Sequence, residues 1–219
     1  MDILPLAIIQ ARMGSTRLPG KMLLPVNGEP LVVRVWRLTC RAVGPHNVIV
    51  AVPGSEENRP LLAELARVKA DVFVYAGPEN DVLGRFHQCA HTYRWHPDSV
   101  ILRVTADDPW KDPGMMKRVI GGERLPVELG GEAFTLRMLD LALAQVMQWS
   151  EANPWERGEG QFTAEDLREH LTYAIFAHDA PSPPDLGIPW SIDTQEEYDA
   201  VVAVLKADQW PDPSHDPLA

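Results

Sequence analysis

Ile8-Ile9-Gln10-Ala11-Arg12-Met13-Gly14-Ser15-Thr16-Arg17-Leu18-Pro19-Gly20-Lys21 is the stretch on which the reading of the whole chain turns. An apolar run feeds directly into a loop with two glycines, two hydroxyl side chains and three cations. In an open α/β sheet, ligands bind beyond the carboxyl ends of strands, and a first-strand loop of small residues lets backbone N–H groups approach a phosphate closely. Arg12, Arg17 and Lys21 are placed to neutralise that phosphate. A solvated basic loop is the plain alternative, because charge and glycine are common in loops. Two familiar phosphate loops are excluded. The spacing from Gly14 to Gly20 does not give G-x-x-x-x-G-K-[ST], Lys21 is followed by Met22, and no G-x-G-x-x-G occurs. A P-loop ATPase and a dinucleotide-binding dehydrogenase thereby lose their main support.

Outward from this loop, apolar runs alternate with segments of helical period, the pattern of βαβ units and a largely parallel sheet. Strands are expected over Leu6–Ala11, Asn47–Val52, Asp71–Tyr75 and Ser99–Thr105, with helices over Pro30–Val43, Glu57–Lys69 and Asp81–Trp95. Pro30 and Pro60 fall where helix starts tolerate proline, and Asp81 is placed to cap the third helix. After Asp108-Pro109 the rhythm changes to a short helix near Met115–Ile120, a Gly/Glu-rich stretch from Gly121 to Glu132, and an apolar helix over Leu136–Trp149. A polar loop is expected over Ser150–Gly160, and Thr163-Ala164-Glu165-Asp166 has the spacing of a capped helix start. A last strand over Trp190–Asp193 precedes a helix over Thr194–Lys206. One domain is expected over residues 1–209, with 210–219 too rich in proline and charge to pack.

The 219 residues are 45% hydrophobic and 23% charged, the balance of one soluble globular domain. A net charge of -11 makes the surface repel nucleic acid and anionic lipid, so any phosphate site is a local cationic patch in an acidic body. Neither nucleic acid nor membrane is an expected partner. No stretch approaches the roughly 18 apolar residues needed to span a bilayer, and the N-terminus has no signal-peptide pattern. With only Cys40 and Cys89, both in helical segments, the chain reads as a cytoplasmic protein with buried thiols. His87 and His91, four residues apart, share a helix face, but Cys89 points away from it and no paired ligand set follows, so a zinc site is not expected. A serine hydrolase has no G-x-S-x-G elbow to rest on.

The string IIQARMGSTRLPGKML resembles the signature of the cytidylyltransferase superfamily, which includes acylneuraminate and KDO cytidylyltransferases, and most closely the branch of spore coat polysaccharide biosynthesis protein F. Further similar segments are Glu79-Asn80-Asp81-Val82-Leu83-Gly84-Arg85-Phe86, Arg103-Val104-Thr105-Ala106-Asp107-Asp108-Pro109-Trp110-Lys111-Asp112-Pro113, Arg168-Glu169-His170-Leu171-Thr172, and Trp190-Ser191-Ile192-Asp193-Thr194-Gln195-Glu196-Glu197. The resemblance implies a Rossmann-like open, mostly parallel sheet of the nucleotide-diphospho-sugar transferase type, with a small antiparallel and helical excursion on the acceptor side. It implies magnesium-dependent transfer of CMP from CTP to a sugar acid or related small acceptor, with release of pyrophosphate, for polysaccharide biosynthesis. A homodimer is implied as well.

By the same resemblance, Arg12 and Lys21 hold the triphosphate, Gly14 and Ser15 cradle it, Arg17 assists, and Ala11 and Arg85 lie near the nucleoside. Asp107, Arg12 and Lys21 form the catalytic set. Asp107 and Asp193 are the implied Mg2+ ligands, hard carboxylate oxygens of the kind that ion prefers. Strand-end logic agrees, since both aspartates end strand candidates of one sheet edge. Glu132, in Gly130-Gly131-Glu132-Ala133-Phe134, and His170 fall on the acceptor side. The segment between the aspartate motif and Glu132 is shorter than the family's, with only Val119–Val127 available. Two alternatives follow: a glycosyltransferase of related fold, although Asp107-Asp108 does not give the D-x-D spacing it would want, or a nucleotide-binding protein that has lost its acceptor pocket.

Overall fold

A computed structural model describes residues 5–93, 96–152 and 180–206. Its centre is β1 (Leu6–Gln10), whose first four residues are fully buried. Such a strand is apolar on both faces because both faces are covered, the signature of a parallel sheet between helix layers. It pairs in parallel with β4 (Val48–Pro53) on one side and β6 (Val100–Thr105) on the other. Beyond β4 lies β5 (Asp71–Tyr75), also parallel. Beyond β6 lies β7 (Glu132–Thr135), antiparallel. The sheet order is therefore β5-β4-β1-β6-β7. The expected Rossmann-like sheet is present, its antiparallel strand at the edge where the rhythm of the sequence changed.

Odd and even positions of β1 serve two separate cores. Ala7 and Ile9 face α1 (Leu31–Val43), α2 (Arg59–Arg67) and α4 (Pro113–Ile120), through Leu31, Val35, Leu61, Leu65 and Met116. Leu6 and Ile8 face α3 (Val82–Thr92) and α6 (Leu136–Ala152), through Leu83, Phe86, Leu139 and Val146. Phe86 meets Phe134 of β7 edge to face, with ring centroids 6.2 Å apart. Each such side chain, fully buried, is worth about 1.5–3 kcal/mol of transfer free energy. The helix predicted over Asp81–Trp95 begins where its cap says it should, since the Asp81 carboxylate accepts from Gly84 N at 2.9 Å. At the far edge, one helical turn, α5 (Val127–Gly130), leads into β7 through Gly131. Gly131 has φ +75°, and a Cβ there would lie 2.5 Å from the Arg103 carbonyl oxygen, so glycine alone lets β7 lie against β6.

Three expectations change. Trp190–Asp193 is not a strand. The Ile192 N–H donates to the Asp107 carbonyl at 2.9 Å, but Asp107 lies two residues beyond the end of β6, where there is no ladder left to extend. A small hairpin, β2 (Pro25–Val26) with β3 (Glu29–Pro30), precedes α1 around Asn27-Gly28, both in the left-handed region. That dipeptide is the strongest short hairpin signal a sequence offers, and here it makes the two-residue turn. Finally, α2 starts only at Arg59, because Glu56–Asn58 forms a tight 3-10 turn. The helix α7 (Gln195–Lys206) closes the described chain. The expected loop beyond Ala152, the capped start at Thr163, the Arg168–Thr172 motif and the tail at 210–219 lie outside the described residues. No helix among the described residues is long and apolar enough to cross a membrane.

Candidate active site

The loop after β1 is held by bonds to its neighbours as well as by its own turns. Met13 N donates to Asn58 Oδ1 at 2.8 Å, and the buried Asn58 amide in turn donates to Pro53 O at 3.1 Å and Ser55 Oγ at 2.7 Å. The end of β4 thus fixes where the loop leaves β1. Ser15 Oγ accepts from Leu18 N at 3.3 Å, and Gly20, at φ +75°, turns the chain into Lys21. The cleft this creates, about 390 Å3, is lined by Arg12, Gly14, Ser15, Thr16, Glu57, Glu79 and Asn80. Arg12 lies 3.6 Å from Glu79, leaving its guanidinium half-exposed over the cleft.

Lys21 is the centre of a second, adjoining group. Its Nζ donates to Asp107 Oδ2 at 2.8 Å, Asp193 Oδ1 at 2.8 Å and Ile192 O at 2.9 Å. An ammonium has three donors, and all three are engaged. Burial acts to lower the Lys21 pKa, but the Asp107 and Asp193 carboxylates outweigh it and raise it. Asp193 is drawn below its ordinary value: burial opposes this, and hydrogen bonds and charge from Lys21 and Arg17 prevail. Arg17 reaches the other oxygen of Asp193 at 2.8 Å.

The backbone at Asp193 is fixed by a capping box. Glu197 Oε2 accepts from Asp193 N at 2.7 Å and Thr194 N at 2.8 Å, while Thr194 Oγ1 accepts from Glu197 N at 3.2 Å. Asp108 is spoken for: buried, it accepts from Thr105 Oγ1 and Ser191 Oγ and lies 2.8 Å from Lys111 Nζ. This network ties the end of β6 to the Ser191–Asp193 segment, and so carries Asp107 and Asp193 to one place.

The predicted residues therefore fall into distinct groups. Arg12, Gly14 and Ser15 line the cleft, and Arg17, Lys21, Asp107 and Asp193 make the charged cluster beside it. Ala11 gives its methyl to the core, so only its backbone is near the loop. Arg85 is fully buried next to the cleft wall, with Nη2 donating to Glu79 O at 2.7 Å and Nε and Nη1 without a hydrogen-bond partner among the described residues. Its pKa is lowered, chiefly by burial and then by the charge of Arg12. Glu132 is buried and turned toward Arg103, opposite it on β6, and Arg103 Nε donates to Gln10 Oε1 at 3.3 Å. His170 lies outside the described residues. Asn58, Lys111 and Glu197 were missed; Thr194-x-x-Glu197 was a readable capping box, whereas nothing local marks Asn58 or Lys111.

A family model described as Cytidylyltransferase matches residues 6–121, more than half of the chain. The chain belongs to the cytidylyltransferase family. It is a member of a nucleotidyltransferase family of enzymes, and the match covers the loop, the cleft and Asp107. Among its relatives, the spore coat polysaccharide biosynthesis protein SpsF of Bacillus subtilis is 29% identical over 95% of this chain and 90% of its own length. The 3-deoxy-manno-octulosonate cytidylyltransferase of Sodalis glossinidius is 29% identical over 79% of this chain and 71% of its own. The structure of a cytidylyltransferase from Leptospira borgpetersenii superposes with a TM-score of 0.71 at 20% identity, over 98% of this chain and 91% of that one. A CMP:2-keto-3-deoxy-manno-octonic acid synthetase complexed with CTP superposes with a TM-score of 0.61 at 17% identity, over 94% and 99%. At such identities the two structures speak for the fold.

Proposed function

We propose that this cytidylyltransferase takes CTP and transfers CMP to a small acidic, sugar-type acceptor for surface-polysaccharide synthesis, releasing pyrophosphate. The observation that carries the reading is the convergence of Asp107 and Asp193 on Lys21 Nζ directly beside the Gly14–Ser15 cleft. An acceptor oxygen forms a bond to the α-phosphorus as the bond to the bridging oxygen breaks, and the electron pair leaves with pyrophosphate. Positioning and neutralisation of charge are most of what such a transfer asks of a protein. Arg12 and Arg17 flank the path of the triphosphate, and the loop around Gly14 offers backbone N–H groups to it. The Glu57 and Glu79 carboxylates would repel phosphate but accept hydrogen bonds from ribose hydroxyls or an exocyclic amine, which assigns that end of the cleft to the nucleoside. The two nitrogens of Arg85 left unpartnered among the described residues, Nε and Nη1, lie behind the same wall.

Asp107 and Asp193 fit a magnesium ion. Both are hard carboxylate donors, and since each has an oxygen on the same nitrogen, those oxygens stand no further apart than twice that contact. When bound there, the ion would neutralise charge on the phosphate oxygens. Lys21 cannot serve the triphosphate while its three donors are engaged, so ligand binding must draw at least one away from a carboxylate. The homodimer implied by the family would cover the apolar side chains that α6 leaves exposed, Met138, Leu141 and Met147.

Thermal unfolding of wild type and Asp107→Asn with each of the four ribonucleoside triphosphates, with and without Mg2+, tests this before an acceptor is known. A ligand at about a hundred times its Kd adds roughly 2.7 kcal/mol, several degrees for a chain of this size. The expected result is a shift largest with CTP, dependent on Mg2+ and reduced in the variant. Pyrophosphate release with sugar acids follows. Equal shifts with all four nucleotides would overturn the base assignment.

A further inference from the structure

On the opposite face of the sheet from α1, helices α3 and α6 bring together three groups that the nucleotide site does not use. His87 Nε2 lies 3.1 Å from Asp140 Oδ1, and His91 Nε2 lies 2.7 Å from the same oxygen. The two rings stack tilted, with centroids 4.4 Å apart. His87 and His91 are one helical turn apart on α3, and Asp140 reaches them from α6, so the trio bridges two elements that the core packs side by side. One carboxylate oxygen and two imidazole nitrogens lie within 4.8 Å of one another.

We propose that His87, His91 and Asp140 form a second metal site, for a borderline divalent ion of the zinc type, that clamps α3 to α6. The donor set is the argument. Two imidazole nitrogens and one carboxylate oxygen suit zinc or cobalt, whereas magnesium prefers oxygen and water. Adjacent ligands of a tetrahedral zinc stand about 3.3 Å apart for bonds of about 2.0–2.1 Å, so the 2.7 Å contact would open by about 0.6 Å and the 3.1 Å contact by about 0.2 Å, a change that side-chain rotation supplies. Each imidazole would carry its proton on Nδ1 and give the Nε2 lone pair to the ion. The site keeps a fourth position for water, because all three side chains remain partly exposed.

Cys89 is buried in the core, away from the face that carries His87 and His91, as its place on the helix implied. The third ligand came from Asp140, 49 residues further along the chain from His91. His87 lies roughly 8 Å along the axis of α3 from Val82, at 1.5 Å rise per residue, so the ion would sit on the same helix as Arg85 yet apart from the cleft.

The test titrates chelator-treated, full-length protein with Co2+ and follows its visible absorption, with Zn2+ as competitor and thermal unfolding as a second readout. The expected result is one tight equivalent with intense tetrahedral d–d bands, displaced by Zn2+, and a rise in Tm of several degrees. His91→Ala and Asp140→Asn should abolish the bands and the rise, and Asp107→Asn should leave both intact. Bands that survive His91→Ala, or no metal-dependent absorption or Tm change in wild type, would overturn the proposal. Loss of the bands in Asp107→Asn alone would place the metal at the nucleotide site and overturn it equally. Both readouts are independent of CTP turnover, so the nucleotide reading stands or falls separately.

Discussion

Replacing Lys21 by methionine keeps most of the side chain's volume and removes the cation that holds Asp107 and Asp193 together. Breaking a buried ion pair by deleting one partner costs about 3–5 kcal/mol, and water recovers part of that where the surviving charge stays accessible. The Lys21 side chain is 7% exposed and each aspartate 31%, so roughly 2–3 kcal/mol is expected at neutral pH. For a chain of this size that is a fall in Tm of roughly 5–10 °C. The loss should be conditional in two ways. The two facing carboxylates would keep only Arg17, which pairs with Asp193 alone, so protonation relieves their repulsion and lowering the pH toward 5 should narrow the gap to wild type. In wild type the sign is opposite. Asp193 is held below its ordinary value and Lys21 above its own, so the interaction is fully present between the ordinary carboxylate and amine values. It is lost only below the former, as Asp193 protonates, or above the latter, as Lys21 deprotonates. Mg2+ should also restore more stability to the variant than to wild type, because the vacated carboxylates are better cation ligands. Differential scanning calorimetry over pH and Mg2+ reads all three. A variant that melts within a degree or two of wild type and responds identically to Mg2+ would refute the idea that this lysine organises the site.

Three further outcomes follow from the same geometry. Asn58→Ala removes the acceptor for Met13 N and the donors to Pro53 O and Ser55 Oγ, so urea unfolding should show a loss of about 1–3 kcal/mol, and KM for the nucleotide should rise more than kcat falls. Gly14→Ala would bring a Cβ to 2.5 Å from Glu79 Oε1; Glu79 can swing away, so Tm should hold, while nucleotide affinity in a calorimetric titration drops at least tenfold as the carboxylate leaves its place in the cleft. Glu197→Ala strips the acceptor from Asp193 N and Thr194 N, and should cost about 1 kcal/mol in denaturant unfolding while shifting the Mg2+ dependence of activity to higher concentration.

The sheet was legible because its central strands are apolar without interruption and its helices announce themselves by period and cap. Leu6, Ala7, Ile8 and Ile9 leave little choice but a strand covered on both faces. The segment Trp190–Asp193 shows the limit of that logic. Trp190 and Ile192 give it a strand's alternation, but both pack against the core, and Trp190 Nε1 donates to the Pro184 carbonyl at 3.0 Å. Burial alone does not make a ladder when the neighbouring strand has already ended.

At the site, the residues with unusual chemistry were readable and those that position them were not, for a physical reason. Arg12 and Asp107 stand out as charge just past a strand, Lys21 as the cation that closes the glycine loop, and Asp193 as a carboxylate in a segment with a strand's alternation. Asn58 and Lys111 look like any polar residue until the fold brings them to Met13 and Asp108, 45 and 3 residues away. The same blindness concealed how the charged residues divide their work. Read along the chain, Lys21 belongs to the phosphate loop and the aspartates belong to a metal; in the fold, Lys21 is bonded to both aspartates. A cation already stands between the carboxylates, so magnesium and triphosphate cannot simply be added to a vacant site. On the proposed reading, they would displace the ammonium from at least one carboxylate and free a donor for the triphosphate. Metal and nucleotide binding would then be coupled through one side chain, so Mg2+ and CTP are each expected to bind more weakly alone than together.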